Sequence, residues 1–147
     1  MAPFTIVVDC ADPDRLAHFW AAALGYTIEP PPAGHASWAA YWRSRGLPES
    51  ELPAGDDAVV DPAGRGPRIW FQLVDERKTG KNRLHLDLNV SGGPDVPLEE
   101  RRRRIEGEAE RLVRLGAVRL RGMDELESIG HYAVAMQDPE GNEFDIN

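Results

Sequence analysis

Four polar residues of this sequence have the chemistry and the placement to act together: His85, Asp145, Gln72 and Thr5. Each lies in a segment where apolar and polar side chains alternate, as they do on the two faces of a β-strand. An imidazole nitrogen, a carboxylate oxygen and an amide oxygen are ligands for divalent cations. If the strands converge, the sequence predicts a metal site. Alternatively, His85 is a hydrogen-bonded histidine in a pocket wall and Asp145 is a surface charge.

The strand predictions come from this alternation. In "RLHLDLNV" the leucines fall on one face, which we expect to pack on a helix, and His85 falls on the other. The same division of the other strands gives the predicted core residues Phe4, Ile6, Val8, Phe71, Leu73, Leu84, Leu86, Leu88, Phe144 and Ile146. The opposite face carries Thr5, Val7, Asp9, Trp70, Gln72, His85, Asp87, Asn89, Glu143 and Asp145.

An internal duplication places these strands in equivalent positions. Each half contains a strand, an amphipathic helix closed by glycine (Gly25 or Gly116), a short strand, and a hairpin with an Asp-Pro-x-Gly turn. We expect one domain over residues 1–147, with module one at 1–80 and module two at 81–147. Aligning "FQL" of the first half with "FDI" of the second makes Gln72 the counterpart of Asp145, and Thr5 the counterpart of His85.

Residues 30–56 interrupt the symmetry between the halves. This segment is far longer than its counterpart, and it contains a possible short helix carrying Trp38, Tyr41 and Trp42. Long insertions in compact domains often form binding loops or lids. The alternative is a satellite cluster that covers the sheet.

Composition excludes several classes of function. A formal net charge of -8 argues against nucleic-acid binding, because phosphate recognition requires an electropositive surface. The sequence shows neither a membrane span nor a signal peptide, so we expect a cytoplasmic protein without a membrane partner. Cys10 is the single cysteine, which excludes an intramolecular disulfide and a cysteine-based zinc site.

Three phrases carry a family resemblance: "DCADPDRLAHFWAAALGY" at the start, "KNRLHLDLNV" in the middle and "DPEGNEFDI" at the end. With the order of the elements, they resemble the vicinal oxygen chelate superfamily, and within it the glyoxalase-like domains common in bacteria. The resemblance covers nearly the whole chain. It implies an α+β fold in which two βαβββ modules pair into a cupped, mostly antiparallel sheet with the helices outside.

The resemblance also implies candidate ligands. Relatives include glyoxalase I, extradiol dioxygenases, epimerases, fosfomycin-resistance enzymes and bleomycin-binding proteins, and many hold a divalent metal on the first and last strands of each module. Those places are Thr5, Gln72, His85 and Asp145 here. Because a threonine hydroxyl is a poor ligand, the implied set is His85, Asp145 and Gln72, holding Zn, Ni, Fe or Mn. A homodimer is a further expectation from the resemblance.

Two functions follow from this set of residues. In the first, a divalent-metal-dependent lyase, isomerase or dioxygenase polarises the oxygens of a small substrate in the sheet cavity. Glu143 is a candidate general base because it shares the face of Asp145, and His131, which precedes the strand "YAVAM", is a second candidate.

The second function needs no metal. Trp38, Trp42 and Trp70 would form the flat apolar walls of a pocket that binds a small molecule or an antibiotic. Thr5 and His131 complete the predicted pocket. In this case His85, Gln72 and Asp145 would orient the ligand through hydrogen bonds, and no cofactor would be present.

Overall fold

The computed structural model describes residues 2–122 and 129–147. It has an α+β fold, and the chain divides into two compact units, Met1–Arg77 and Lys78–Asn147. Each unit contains a four-stranded mixed sheet among its described residues. None of the helices in these residues has the length and apolar character needed to cross a membrane.

The first unit carries a sheet with strand order β1-β4-β3-β2. Strands β1 and β4 pair in parallel, and the other pairs are antiparallel. Its elements are β1 (Thr5–Cys10), α1 (Pro13–Leu24), β2 (Thr27–Ile28), α2 (Trp38–Ser44), a 3-10 turn (Glu49–Glu51), β3 (Ala58–Val60) and β4 (Arg68–Leu73).

Helix α1 begins and ends where the sequence predicts. The carboxylate of Asp12 accepts the backbone N–H of Arg15 at 3.1 Å, and Pro13 occupies the first turn. Gly25 ends the helix with φ 69°, in the left-handed region that glycine adopts without strain. The apolar face of the helix is buried through Leu16, Ala17, Phe19, Trp20 and Ala23.

The second unit repeats this plan with strand order β5-β8-β7-β6. Strands β5 and β8 are parallel, and the other pairs are antiparallel. Its elements are β5 (Asp87–Leu88), α3 (Leu98–Arg114), β6 (Val118–Gly122), β7 (Val134–Gln137) and β8 (Glu143–Ile146). The turn before β8 is fixed by Asp138, which is 2% exposed and accepts the backbone N–H groups of Glu140 and Asn142.

Three predicted core residues are exposed. Phe4 is 66% exposed, Leu73 67% and Leu84 88%, whereas Phe71 and Phe144 are each 1% exposed. Phe4 and Leu84 precede their strands, and Leu73 is the last residue of β4. Alternation assigns a side chain to a face, but it does not show how far a packing partner extends along that face. The prediction is therefore wrong for these three residues, although it holds for Leu88 and Ile146, which also end their strands.

The predicted equivalence between the halves is wrong in one of its two parts. In the second unit Asp145 pairs with Asp87, which is two residues after His85. If Thr5 is the counterpart of His85, the counterpart of Asp145 must pair with the second residue after Thr5. Gln72 instead pairs with the fourth, Asp9. Thr5 and Gln72 therefore cannot both hold the places assigned to them.

Trp70 holds the place assigned to Gln72. It pairs with Val7, the second residue after Thr5. Burial supports the new alignment, since Phe71 after Trp70 and Ile146 after Asp145 are 1% and 0% exposed. The alignment drawn from the sequence puts too many residues into the longer first turn. The first unit thus has a threonine and a tryptophan where the second has a histidine and an aspartate, so its equivalent positions supply no strong metal ligand.

Candidate functional site

His85, Asp87 and Asp145 form a cluster in the second unit. The Nδ1 atom of His85 lies 2.8 Å from Oδ1 of Asp87 and 4.0 Å from Oδ2 of Asp145. One ligand atom from each residue lies within 4.8 Å of the other two. One imidazole nitrogen and two carboxylate oxygens are a donor set that fits zinc, iron, nickel or manganese. The sequence predicted His85 and Asp145 as ligands, but it did not include Asp87.

The parallel pairing of β5 with β8 positions this cluster. The register sets Asp87 opposite Asp145, and the backbone N–H of Asp145 donates to the carbonyl of Leu86 at 3.0 Å. Asn147 continues the same ladder, and its side-chain amide donates to Oδ2 of Asp87 at 3.3 Å. The second carboxylate oxygen of Asp87 is therefore oriented by a neighbour, as outer hydrogen bonds commonly orient metal ligands.

Electrostatics at the cluster favour an added positive charge. Burial raises the pKa of Asp145; His85 opposes this shift, and the negative charge of Asp87 adds to it. The side chains of His85, Asp87 and Asp145 are 39%, 43% and 24% exposed, so the cluster is open to solvent. A cation would relieve the repulsion between the two carboxylates, and the open side leaves room for substrate or water.

Glu143, on the same face of β8 as Asp145, is held by residues of the segment that precedes β5. Its carboxylate accepts a hydrogen bond from the backbone N–H of Asn82 at 3.0 Å. It also forms an ion pair with the ammonium group of Lys78 at 3.0 Å. The Asn82 and Lys78 hydrogen bonds lower the pKa of Glu143 to about 2. A general base works best when its pKa is near the working pH. The geometry favours an anchoring role, in which Glu143 ties the segment before His85 to β8.

The first unit contains a cavity of about 1090 Å³. Trp38, Trp42 and Trp70, which the sequence predicts as pocket walls, all line it, and so does Gln72. The remaining lining residues are Ala11, Asp12, Pro13, Asp14, Leu47, Ser50, Glu51, Leu52, Pro53, Ala54, Gly55, Asp56, Asp57, Arg68, Phe71 and Leu73. The inserted segment 30–56 thus contributes directly to the wall of this cavity.

Helix α2 carries the tryptophans of the insertion. The hydroxyl of Ser37 accepts the backbone N–H of Ala40 at 3.0 Å and caps the helix. Trp38 and Trp42 are one helical turn apart, so their rings stack with centroids 6.3 Å apart and planes 27° apart. The indole N–H of Trp38 donates to the carbonyl of Glu29 at 2.9 Å, which fixes the helix to the segment after β2.

On β4, Arg68 and Trp70 are tied to neighbouring acids. The guanidinium of Arg68 makes hydrogen bonds of 2.8 and 2.6 Å to the carboxylate of Glu29. The indole N–H of Trp70 donates to Oδ2 of Asp57 at 3.1 Å. These contacts fix the side chains that form the sheet side of the cavity.

Two other predicted pocket residues lie elsewhere. Thr5 is the exposed first residue of β1, outside the cavity lining. His131 is exposed and belongs to the second unit, just before β7. A pocket role for these two residues stays a prediction. The placement of Gln72 as a third metal ligand also stays a prediction.

A second His/Asp cluster was missed by the sequence analysis. In the first unit, Nε2 of His18 lies 3.2 Å from Oδ2 of Asp56 and 3.8 Å from Oδ1 of Asp14. The backbone N–H of Asp56 donates to Asp14 at 2.8 Å. Asp14 and His18 are one turn apart on α1, a spacing that could have revealed the pair, whereas the approach of Asp56 depends on the tertiary fold.

Comparison with known proteins identifies the family. A family model described as a glyoxalase-like domain matches residues 5–147. The chain belongs to the glyoxalase-like domain family. This confirms the resemblance drawn from the sequence. None of the curated proteins compared with this glyoxalase-like chain matches it.

Solved structures share the glyoxalase-like fold at low sequence identity. A glyoxalase/bleomycin resistance protein/dioxygenase family enzyme from Burkholderia phytofirmans is 14% identical with a TM-score of 0.56, over 97% of this chain and 94% of that one. A superfamily member from Sphaerobacter thermophilus is 16% identical with a TM-score of 0.54, over 99% and 95%.

A third structure contains a metal and a small molecule. It is a variant of the fosfomycin resistance protein FosX from Listeria monocytogenes, in complex with Mn(II) and 1S,2S-dihydroxypropylphosphonic acid. It is 11% identical with a TM-score of 0.56, and the match covers 100% of this chain and 87% of FosX. At this identity the likeness shows a shared fold.

Proposed function

We propose that this protein is a divalent-metal-dependent enzyme of the glyoxalase type that acts on a small oxygenated molecule, as a lyase, an isomerase or a dioxygenase. The observation that carries the proposal is the cluster of His85, Asp87 and Asp145, whose ligand atoms lie within 4.8 Å of one another. These three residues would hold the ion. The Mn(II) bound by the FosX variant gives fold-level support.

A bound divalent ion would act as a Lewis acid toward substrate oxygens in this enzyme. The protein's own residues prepare that chemistry. Asp87 contacts the His85 imidazole and limits its orientation, while Asn147 holds the other oxygen of Asp87. Glu143 anchors the segment that carries His85 through its contacts with Lys78 and Asn82. The partial exposure of the cluster leaves an approach for substrate.

Metal content tests this proposal. Protein purified without chelators should contain a stoichiometric divalent metal by elemental analysis, and His85→Ala should lose it. His18→Ala is the matched control, because His18 also contacts two aspartates but lies in the first unit. Metal that is retained in His85→Ala, or lost in His18→Ala instead, would place the ion elsewhere and contradict the proposal.

A second candidate function is metal-free binding of a small molecule. The cavity of about 1090 Å³, with tryptophans from α2 and β4 in its wall, specifically favours it. A protein that lacks metal and still binds a small aromatic ligand would support this function. We also expect a homodimer, as the resemblance implies, and sedimentation equilibrium would test that expectation.

A further inference from the structure

The cavity of the first unit has a strongly acidic wall. Five acidic residues line it, and two of them, Asp14 and Asp56, also contact His18. The five are Asp12, Asp14, Glu51, Asp56 and Asp57. The basic side chain in the lining is Arg68, whose guanidinium is matched by two hydrogen bonds to Glu29. The charge presented to a guest is therefore negative, and a low-dielectric concavity strengthens the field of charges on its wall.

The aromatic wall faces the same space. Trp38, Trp42 and Trp70 line the cavity, and Trp38 and Trp42 stack on each other. The indole N–H groups of Trp38 and Trp70 already donate to Glu29 and Asp57. Since those polar edges are satisfied within the protein, we expect a guest to contact the ring surfaces. Indole faces attract cations through the ring quadrupole.

The cavity is much larger than a bare inorganic ion. A volume of about 1090 Å³ is slightly larger than ordinary small-molecule sites, which span roughly 300–1,000 Å³. A lone ion would leave most of the tryptophan surface uncovered. Asp57 is hydrogen-bonded to Trp70, so a carboxylate and an aromatic ring lie side by side in the wall. A guest that carries a positive group on a flat apolar body can use both features at once.

We propose that the cavity of the first unit binds an organic cation, namely an amine, a quaternary ammonium or an amidinium group on an aromatic or apolar body. The proposal rests on the second candidate function, that the cavity binds a small molecule, and adds the charge class of the ligand. It does not depend on a metal at the cluster of His85, Asp87 and Asp145. The predicted guest is opposite in charge to the phosphonic acid bound by the FosX variant.

The test compares probes of similar shape and different charge. N-methylquinolinium, neutral 2-methylnaphthalene and anionic 2-naphthoate would be measured by equilibrium dialysis against the full chain. The cation should bind at least about tenfold more tightly than either of the other two probes. Raising the salt concentration should weaken its binding, because part of the attraction is electrostatic.

Charge variants locate the site. The double substitution Asp56→Asn and Asp57→Asn keeps the shape of two lining residues and removes their charges, and it should weaken N-methylquinolinium binding about tenfold. The double substitution Asp75→Asn and Glu76→Gln removes the same charge from exposed residues outside the cavity and should leave binding unchanged. Thermal unfolding would show that both variants fold.

A third variant separates the aromatic contribution. Trp42 is 40% exposed, so Trp42→Ala should weaken cation binding several-fold without unfolding the chain. Equal binding of all three probes would show a cavity that binds small molecules without charge preference, which overturns this proposal but leaves the second candidate function standing. Preference for 2-naphthoate, equal losses in both charge variants, or no binding of any probe to folded protein would also overturn it.

Discussion

The two units share one plan and differ at the same strand positions. Where the second unit has His85 on the segment before β5 and Asp145 on β8, the first has Thr5 on β1 and Trp70 on β4. The first unit also carries the insertion with α2, and its β4 tryptophan lines a cavity. At these strand positions the second unit instead carries candidate metal ligands. The two units therefore share a strand scaffold, while the side chains at equivalent places provide an aromatic wall in one unit and candidate ligands in the other.

The largest expected effect tests the corrected alignment of the units. Phe71→Ala should destabilise the protein by about 3–5 kcal/mol, because it empties a fully buried site in the first unit. Leu73→Ala should cost less than about 1 kcal/mol, since Leu73 is 67% exposed. Urea unfolding monitored by circular dichroism measures both changes. Equal losses of unfolding free energy in the two variants would support the alignment drawn from the sequence, in which Phe71 and Leu73 are both in the core.

The next effect concerns the ligands of the second unit. Asp87→Asn should lower Mn²⁺ or Ni²⁺ affinity by about 10- to 100-fold, because it removes a charge from the cluster and loosens the orientation of His85. Asn147→Ala should have a smaller effect, as Asn147 acts on Asp87 alone through its side chain. Isothermal titration gives both affinities, with Asp75→Asn as a control for net charge. An unchanged metal affinity in Asp87→Asn would show that Asp87 does not contribute to the metal site.

The smallest effect compares the Arg–Glu pairs of the two units. In the second unit Glu106 accepts from Arg119 at 2.5 and 2.9 Å and also from the hydroxyl of Tyr132. In the first unit Glu29 accepts from Arg68. Because Glu106 has the additional buried donor, Glu106→Gln should cost about 1–3 kcal/mol at neutral pH, and Glu29→Gln should cost less.

The pH dependence of the Glu106 effect has a definite sign. The hydrogen bonds from Arg119 lower the pKa of Glu106, burial opposes this shift and Tyr132 adds to it. A carboxyl group whose pKa is lower in the folded state stabilises the fold at pH values above its unfolded pKa, about 4.3 for glutamate. That stabilisation is lost as the pH falls through the folded pKa. The difference between wild type and Glu106→Gln should thus shrink below about pH 4. A difference that stays constant down to pH 3 would contradict the pair's role.

Much of the scaffold could be predicted from local patterns. Asp12 and Gly25 mark the ends of α1, and the buried face of that helix follows its periodic apolar residues. Alternation correctly buries Phe144 and Ile146 and leaves Asp145 on the other face of β8. The insertion with Trp38 and Trp42 is distinguished in the sequence by its length, and it forms part of a cavity wall.

The candidate site was only partly predictable, because its composition depends on strand register. The sequence places His85 and Asp87 on one face of a strand, but it does not show which residue of β8 stands opposite. For the same reason, the sequence makes Gln72 the counterpart of Asp145, whereas the strand register gives that position to Trp70. The approach of Asp56 to the pair Asp14 and His18 likewise requires a loop to return to the helix across a long stretch of sequence.

The sequence by itself determined the order of the elements, the faces of the strands and the ends of the first helix, because these follow from interactions between residues close together in the chain. The tertiary structure alone decided that Asp87 meets Asp145 and that the acidic and aromatic side chains of the first unit line one cavity. The physical reason is that register and loop packing depend on contacts between distant segments, where a shift of two residues keeps every face but changes every neighbour.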